Sequence, residues 1–167
     1  MSIAPYHDDA VCVQDGSLSL VRFDEGVASV IASWVRDARE LFWLAPKTPG
    51  PLTAAKVIGW PGSEGCPLLL CRDGDAEPVG YAELNPMPGQ PSHLWIGHCV
   101  IRPGLRGVGL GRRFVGMLLE DAFVNRRAVV VSLVAFPGNR VAIACYRSNG
   151  FAAIREQIRY MPTTGRQ

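Results

Sequence analysis

Apolar residues in this chain follow two patterns that alternate along its length. Short apolar runs bounded by Gly, Pro or Asp predict β-strands, and apolar residues that recur every three or four positions predict helices. The runs predict strands over residues 18–23, 67–72, 78–84, 93–101, 129–136 and 152–161. The periodic stretches predict helices after Asp24, over residues 54–60, over residues 110–125 and from Asn139 onwards.

The resulting order, β-α-α-β-β-β-α-β-α-β, predicts an α/β (α+β) fold with a mixed, mostly antiparallel central sheet flanked by helices. The 167 residues suit a single domain over residues 1–167. Residues 1–16 show no clear period and are expected to be a loosely assigned N-terminal extension. Residues 46–51 and 85–92 are rich in Pro and Gly and are expected to be loops.

Three polar side chains are expected to cap helices, namely Asp24, Thr53 and Asn139. Strand alternation places Tyr81 and Glu83 on one face of their strand. The helix after Asn139 is expected to turn most of its apolar side chains inward. These side chains are Val141, Ile143, Ala144 and Cys145.

A glycine-rich segment joins the 93–101 strand to the long helix. It contains Arg106, Gly107, Gly109, Gly111, Arg112 and Arg113. Glycines let backbone N–H groups approach an anion, and the helix dipole favours negative charge at a helix N-terminus. The segment therefore predicts a phosphate-bearing ligand at the start of the long helix.

Two common nucleotide-binding motifs do not fit this segment. A P-loop ends in Gly-Lys-Ser/Thr, whereas this segment ends in Gly111-Arg112-Arg113. The dinucleotide motif G-x-G-x-x-G would need its third glycine where Arg112 or Phe114 stands. A nucleotide-binding regulatory module is therefore the weakest of the functions considered.

The segment Arg106-Gly-Val-Gly109-Leu-Gly111 instead resembles the Arg/Gln-x-x-Gly-x-Gly/Ala pyrophosphate motif of the GNAT superfamily of N-acetyltransferases. A later segment, from Asn139 through Tyr146 to Phe151, resembles the second GNAT signature, Asn-x-x-Ala-x-x-x-Tyr-x-x-x-Gly-Phe. Both motifs occur in the usual order. The resemblance covers residues 67–160 well and the first third of the chain only loosely.

The resemblance implies acetyl-coenzyme A (acetyl-CoA) as the cofactor. Backbone N–H groups near Cys99–Ile101 would polarise the thioester carbonyl, and Asn139 would bind the pantetheine arm. Gly97 would ease a bulge in the central strand. The implied cofactor-binding set is Cys99, Val100, Ile101, Arg106, Gly107, Val108, Gly109, Leu110, Gly111, Arg112, Asn139, Ala142 and Tyr146.

Tyr146 falls on the motif tyrosine, whose hydroxyl is typically the acid beside the coenzyme A sulfur. Many GNAT enzymes carry a glutamate base on the central strand, but Trp95 stands at that position. The catalytic base is therefore expected to be Glu83 first and His98 second, since imidazole titrates near neutrality. His93 and a water relay stay open as alternatives.

Cys99 and Cys145 are less suitable as acyl carriers, because neither has a histidine nearby in motif form and both suit buried small apolar positions. The five scattered cysteines show no metal-binding spacing, so no metal site is expected. They favour a reducing, cytoplasmic environment. A net charge of +2 gives no indication of nucleic-acid binding. No apolar stretch suggests a membrane span, and the first nine residues do not resemble a signal peptide.

The sequence thus predicts an N-acetyltransferase that transfers acetyl from acetyl-CoA by direct attack in a ternary complex. The expected acceptor is a primary amine of a small molecule or of a protein N-terminus. Aromatic residues expected to line the acceptor side are Trp34, Phe42, Trp43 and Trp60. The alternative is a non-catalytic acyl-CoA-binding sensor or interaction module. The oligomeric state is not fixed by the sequence, and a homodimer stays open.

Overall fold

The computed structural model describes residues 11–157. Within them a six-stranded sheet has the order β1-β2-β3-β4-β5-β6. The strands are β1 Val11–Asp15, β2 Leu18–Arg22, β3 Cys66–Arg72, β4 Gly80–Met87, β5 Gln90–Ile101 and β6 Val130–Ser132. Neighbouring strands are antiparallel except β5 and β6, which are parallel. The predicted mixed, mostly antiparallel sheet is therefore confirmed.

Helices flank this sheet. They are α1 Ala28–Ser33, α2 Ala38–Leu44, α3 Ala54–Gly59, α4 Leu110–Glu120 and α5 Arg140–Ser148. A π-helical turn, Asp121–Asn125, prolongs α4, and 3-10 turns span Glu25–Val27 and Pro103–Leu105. The three predicted caps are confirmed, because Asp24, Thr53 and Asn139 each accept a hydrogen bond from a backbone N–H of the first turn.

Each face of the sheet carries its own apolar core. On one face Phe114 and Leu118 of α4 share a buried cluster with Ala82 and Leu84 of β4. On the other face Tyr81 belongs to a buried cluster formed by α1, α3 and the strands beside β4. Glu83 follows Tyr81 at a spacing of two, so it faces the layer of α1 and α3 as strand alternation predicts.

Two predicted loops are strands in the structure. Residues 11–15, expected to be an irregular extension, form β1 and pair with β2. The predicted 85–92 loop is mostly strand, because Asn85 pairs with Trp95 and Pro86 with Leu94, which leaves only a tight turn. The local preference of Pro and Gly for turns is overridden there by pairing between neighbouring strands.

The first helical stretch is divided. It was expected to run on from Asp24, but it breaks after α1 and restarts at α2, where Asp37 caps Glu40. None of the helices within residues 11–157 is long and apolar enough to cross a membrane.

The C-terminal part departs most from the predicted pattern. The strand expected over 129–136 pairs only over Val130–Ser132, because the chain beyond Ser132 leaves β5. On α5, Val141 is 81% exposed and Ala144 is also exposed, so these two do not point inward as expected. No strand forms over 152–157, where every residue is exposed, and the rest of the predicted 152–161 strand lies outside the described residues.

Candidate active site

The central feature of the site is the opening between β5 and β6. These strands pair only from His93 with Val130 to Trp95 with Ser132. A hydrogen bond of 2.8 Å between His93 Nε2 and Ser132 Oγ lies at this end of the pairing. From Ile96 to Ile101 no described strand pairs with β5 on its β6 side. Cys99, Val100 and Ile101 therefore have one backbone edge facing the opening, as expected of a strand that binds an extended ligand.

A β-bulge in β5 lies opposite this opening. Tyr81 pairs with Val100 and Glu83 with Gly97, so His98 and Cys99 together oppose Ala82. His98 has φ +44°, a left-handed conformation that is uncommon for a residue with a side chain. Such conformations cost about 1–3 kcal/mol and cluster at functional sites. The bulge expected near Gly97 is confirmed, although the residue that absorbs it is His98.

Gly97 has a packing reason to lack a side chain. A Cβ there would lie 2.7 Å from a ring carbon of Trp95 and 2.9 Å from Nδ2 of Asn85. Trp95 occupies the place expected for a glutamate base, and its ring instead covers this part of the strand. Gly97 therefore lies beside the bulge, and the close approach of the Trp95 and Asn85 side chains explains why a glycine stands there.

The Glu83–His98 pair is the strongest polar contact in the site. Nδ1 of His98 lies 2.7 Å from Oε2 and 3.0 Å from Oε1 of Glu83. The Glu83 side chain is fully buried, whereas the His98 side chain is 18% exposed. A carboxylate can only accept, so Nδ1 donates this hydrogen bond, and in the neutral imidazole Nε2 is the basic nitrogen. Of the two predicted bases, His98 is the one that can face a ligand.

Two aromatic rings complete the surroundings of this pair. Trp60 stacks on His98 with ring centres 4.3 Å apart and an angle of 7° between the planes. The Trp60 indole N–H also donates to Thr48 Oγ1 at 3.0 Å. The Tyr81 hydroxyl is buried without a well-formed hydrogen bond to any residue of the described range. Burial and the neighbouring Glu83 carboxylate raise the pKa of Tyr81. No sequence signal indicated that Trp60 would stack on His98, because this contact depends on the packing of α3 over β4.

Tyr146 of α5 lies on the other side of the bulge, beside Cys99 and Cys145. Burial, followed by the adjacent Cys99 and Cys145 thiols, raises the pKa of its hydroxyl. Tyr146 therefore keeps its proton at neutral pH and can donate it to a nearby charge. Burial also raises the pKa of the Cys99 thiol to about 12. A thiol that stays protonated is a poor nucleophile, which argues against Cys99 as an acyl carrier.

The glycine-rich segment forms an open N-terminus for α4. Gly107 has φ +79°, and Gly109, the N-cap of α4, has φ +83°. A Cβ added at either position would meet nothing within 4 Å, so the space above the segment is open. No side chain caps α4, and its first turn holds no acidic residue. The N–H groups of this turn are therefore available to an anion.

The remaining residues of the segment have different surroundings. The Val108 side chain is 75% exposed and the Leu110 side chain is buried in the core. These two residues would therefore contact a ligand through their backbone groups. A Cβ added at Gly111 would lie 3.7 Å from Cys145 Sγ, so α4 lies close to α5 at this position. On α5, Asn139 Oδ1 accepts from the Ala142 N–H at 3.3 Å. Among the described residues the Asn139 amide nitrogen has no partner and is free to bind a ligand.

The three arginines of the segment do not share one role. Arg113 binds Asp15, with its Nε 3.1 Å from Oδ2. Arg106 donates to Glu40, Ile101 and Trp34 and is turned toward the protein. The exposed Arg112 guanidinium makes no hydrogen bond or ion pair within residues 11–157. Of the three, Arg112 is therefore the one whose guanidinium stays available to an anion.

A cavity of about 510 Å³ lies between α1, α2 and the loop that follows α2. Phe42 lines it, together with Leu41, Leu52 and Thr48. Two of the other aromatic residues predicted to line an acceptor region lie elsewhere, since Trp34 is buried in the core and Trp60 stacks on His98. The Trp60–Thr48 hydrogen bond connects this cavity to the Glu83–His98 pair.

Comparison with known proteins places these features in a family. The model of the acetyltransferase (GNAT) family matches residues 23–151. An uncharacterised protein of Mycobacterium leprae is 36% identical over 88 residues, covering 52% of this chain and 23% of that protein. The N-alpha-acetyltransferase RimI of Mycobacterium tuberculosis is 34% identical over 88 residues, covering 52% of this chain and 53% of that protein. The chain thus spans at most about half the length of these relatives.

Solved structures show the same fold. An aminoglycoside acetyltransferase, AAC(6')-Ib, in complex with ribostamycin and coenzyme A has a TM-score of 0.69 and 23% identity, covering 81% of this chain and 83% of that one. Spermidine N-acetyltransferase from Vibrio cholerae, in complex with coenzyme A and spermine, has a TM-score of 0.67 and 16% identity, covering 83% and 82%.

Proposed function

Because this chain belongs to the GNAT family of acetyltransferases, we propose that it transfers an acetyl group from acetyl-CoA to a primary amine. The acceptor is a small molecule or a protein N-terminus, and the amine attacks directly in a ternary complex. The observation that carries the proposal is the bulge in β5, which has His98 on one side of the strand and Tyr146 on the other. A base and an acid thus flank one short stretch of unpaired strand edge.

The chain's own residues fit the cofactor. The uncapped first turn of α4, the open space over Gly107 and Gly109, and the exposed Arg112 form an anion site for the pyrophosphate. The edge of β5 over Cys99–Ile101 offers backbone groups to an extended arm, and the Asn139 amide adds a donor. Acetyl-CoA supplies the activated acetyl group as a thioester.

The protein's part in the chemistry is proton transfer and orientation. His98, held by Glu83 with Nε2 as its basic nitrogen, takes a proton from the acceptor ammonium so that a neutral amine can attack. Tyr146 keeps its proton at neutral pH and donates it as negative charge develops on sulfur. Trp60 stacks on the imidazole and limits its movement. His98 is therefore preferred to Glu83 as the base, and Glu83 acts by orienting it.

The amine class is supported by related proteins, which their names describe as acting on a protein N-terminus, an aminoglycoside or a polyamine. The cavity beside α2 and the stacked Trp60 fit an acceptor with an apolar part. A second candidate is a sensor that binds acyl-CoA without turnover. The observation in its favour is Trp95, which stands at the usual position of a glutamate base.

Titration of the purified protein with acetyl-CoA, followed by a thiol-release screen over an amine library, separates the two functions. Binding with amine-dependent thiol release supports the enzyme, whereas binding without release favours the sensor. Failure to bind would contradict both.

Tyr146→Phe tests the proposed acid. We expect kcat to fall about ten- to a thousandfold with little change in the Kd of acetyl-CoA, because only the donated proton is removed. Phe151→Leu, which changes the ring that packs against Tyr146, is the matched control for packing. Unchanged turnover in Tyr146→Phe would remove the assignment.

A further inference from the structure

Arg106 is the first residue of the glycine-rich motif, yet its guanidinium points into the protein. Each of its three nitrogens donates a hydrogen bond. Nε donates to the Ile101 carbonyl at 2.8 Å, Nη1 to Glu40 Oε1 at 3.0 Å and Nη2 to the Trp34 carbonyl at 3.2 Å. These acceptors belong to the end of β5, the first turn of α2 and the end of α1. A single side chain therefore joins the glycine-rich segment to three other elements.

Glu40 is firmly held at the other end of this contact. Oε1 accepts from Arg36 Nε at 2.9 Å and Nη2 at 2.6 Å, and Oε2 accepts from the Arg36 backbone N–H at 3.0 Å. Burial opposes ionisation, but the hydrogen bonds from Arg36 and the charge of Arg106 outweigh it and lower the pKa of Glu40 to about 2. Glu40 is thus a carboxylate at any ordinary pH, shared between two guanidinium groups.

The contact lies directly beside the proposed anion site. Arg106 precedes Gly107, and its own N–H donates to the Pro103 carbonyl at 3.3 Å. The Gly107–Gly109 stretch that follows is exposed and has left-handed φ angles at both glycines. Such a stretch has many accessible conformations when it is not held at its ends. The Arg106 contacts fix the end at which the segment leaves β5.

We propose that Arg106 and Glu40 form a clamp that positions the glycine-rich segment, so that Glu40, which lies outside the motif, is a determinant of cofactor affinity. Arg106 is then a positioning residue and not a ligand of the pyrophosphate. Arg112 and the backbone N–H groups of the segment supply the direct contacts. The inference rests on the proposed function, because it takes coenzyme A as the ligand of this segment.

The direction in which one substitution changes the affinity for coenzyme A distinguishes a clamp from a ligand. Coenzyme A is an anion, and Glu40→Gln removes a negative charge beside its site. Simple electrostatics predicts that Glu40→Gln binds coenzyme A as tightly as wild type or more tightly. If Arg106 were released toward the phosphates, binding would become tighter still. The clamp predicts the opposite, because the segment loses its fixed end. We expect a 2- to 30-fold rise in Kd, a range of about the size seen when residues outside a site modulate it.

The experiment is calorimetric titration of the full chain with coenzyme A, using wild type, Glu40→Gln, Arg106→Gln and the double variant. The clamp predicts similar losses in both single variants and little further loss in the double variant, since both remove the same contact. Glu120→Gln, which removes an exposed charge at the end of α4, is the matched charge control and should stay within about twofold of wild type.

Arg106→Lys gives an independent readout. A lysine keeps the positive charge but cannot make the three directed contacts of a guanidinium. A clamp therefore predicts that Arg106→Lys binds as weakly as Arg106→Gln, whereas a phosphate ligand predicts substantial rescue. The thermal unfolding of every variant is measured first, and if Glu40→Gln fails to fold, the comparison of Lys and Gln at position 106 decides alone.

Each outcome supports or overturns the inference. Weaker binding in Glu40→Gln without rescue by Arg106→Lys supports it. Wild-type affinity or tighter binding in Glu40→Gln overturns the clamp and leaves the proposed function intact. Absence of coenzyme A binding by the wild type would overturn the proposed function and the clamp together.

Discussion

At the scale of single residues, the main feature is a strained histidine held by a buried carboxylate. His98 adopts φ +44° within a strand and binds Glu83, whose side chain is fully buried. A conformation that costs free energy persists only where the surroundings enforce it. Here the enforcing contacts are the Glu83 carboxylate, which accepts from Nδ1 of the ring, and the Trp60 indole, which stacks on the face of the ring. The bulge therefore serves to aim the imidazole.

His98→Asn tests the proposed base. Asparagine tolerates left-handed φ better than most residues, so the bulge can persist while the basic nitrogen is lost. We expect kcat to fall about 10²- to 10⁴-fold with little change in acetyl-CoA affinity. Steady-state thiol release and calorimetry measure the two quantities.

His93→Asn is the control, because it removes another imidazole from β5 that binds Ser132 instead. If Glu83 only orients His98, then Glu83→Gln combined with His98→Asn should lose little more activity than His98→Asn alone. Full turnover in His98→Asn would return the role of base to Glu83 or to a water relay.

Residue chemistry was predicted from the sequence better than residue contacts. Strand alternation placed Tyr81 and Glu83 on one face, and the structure has that arrangement. The alternation could not show that an extra residue in β5 turns His98 toward Glu83, because a bulge depends on pairing between strands. The sequence likewise placed Arg106 in the cofactor motif but gave no signal of its partner Glu40, which lies 66 positions away.

At the scale of elements, the uncapped N-terminus of α4 is the feature on which the proposed cofactor binding depends. Gly109 stands at the N-cap, where most helices place a side chain that occupies the first free N–H groups. Its absence leaves those groups to an external anion. The element is therefore less well capped than it could be, and this is the reason for proposing it as the cofactor-binding site.

Gly109→Asp should abolish cofactor binding. The aspartate would cap the free N–H groups of α4 and place a negative charge where the pyrophosphate is expected. We expect acetyl-CoA affinity to fall at least about a hundredfold by calorimetry, equivalent to about 2.7 kcal/mol.

Gly109→Asn is the matched control, because it has nearly the same shape and capping ability without the charge. It should bind more weakly than wild type but more tightly than Gly109→Asp. Equal affinities of the two variants would mean that steric blocking, and not charge, excludes the ligand. Retained binding in Gly109→Asp would mean that the ligand lies elsewhere.

Helices with a strong apolar periodicity were predicted well, whereas strands whose length depends on pairing with a neighbouring strand were not. The long helix after the glycines matches α4 and its π-helical turn, since its apolar spacing reflects a buried face. β6 is only three residues long, although its sequence suggests a longer strand. A β-branched apolar run favours extended backbone, but whether it pairs depends on the neighbour, and β5 and β6 separate at this point.

At the scale of the whole molecule, the Arg106–Glu40 contact connects parts that the sheet otherwise keeps apart. The glycine-rich segment leads into α4, which covers one face of the sheet, while α1 and α3 cover the other face. Arg36 and Arg106 both bind the Glu40 carboxylate, so charge pairing adds to apolar packing in holding this junction. The contribution of such a carboxylate to stability depends on its ionisation.

That dependence gives a prediction about acid unfolding. The pKa of Glu40 is lowered from 4.5 to about 2 in the folded protein. Its stabilising contribution is therefore fully present above the unfolded pKa and is lost as the pH falls from about 4.5 toward 2. In Glu40→Gln this contribution is absent at every pH. The variant should thus have a lower Tm than wild type near pH 6, and the difference should shrink as the pH approaches about 3.

Thermal unfolding followed by circular dichroism over this pH range measures both Tm values. Glu120→Gln should follow the wild-type curve, because Glu120 is an exposed carboxylate without an ion-pair partner within residues 11–157, and such a group contributes little. A constant difference in Tm between Glu40→Gln and wild type at all pH values would show that Glu40 stabilises the junction through packing and not through its charge. In that case Glu40 would still fix the glycine-rich segment by shape, but acid would not loosen the junction through this residue.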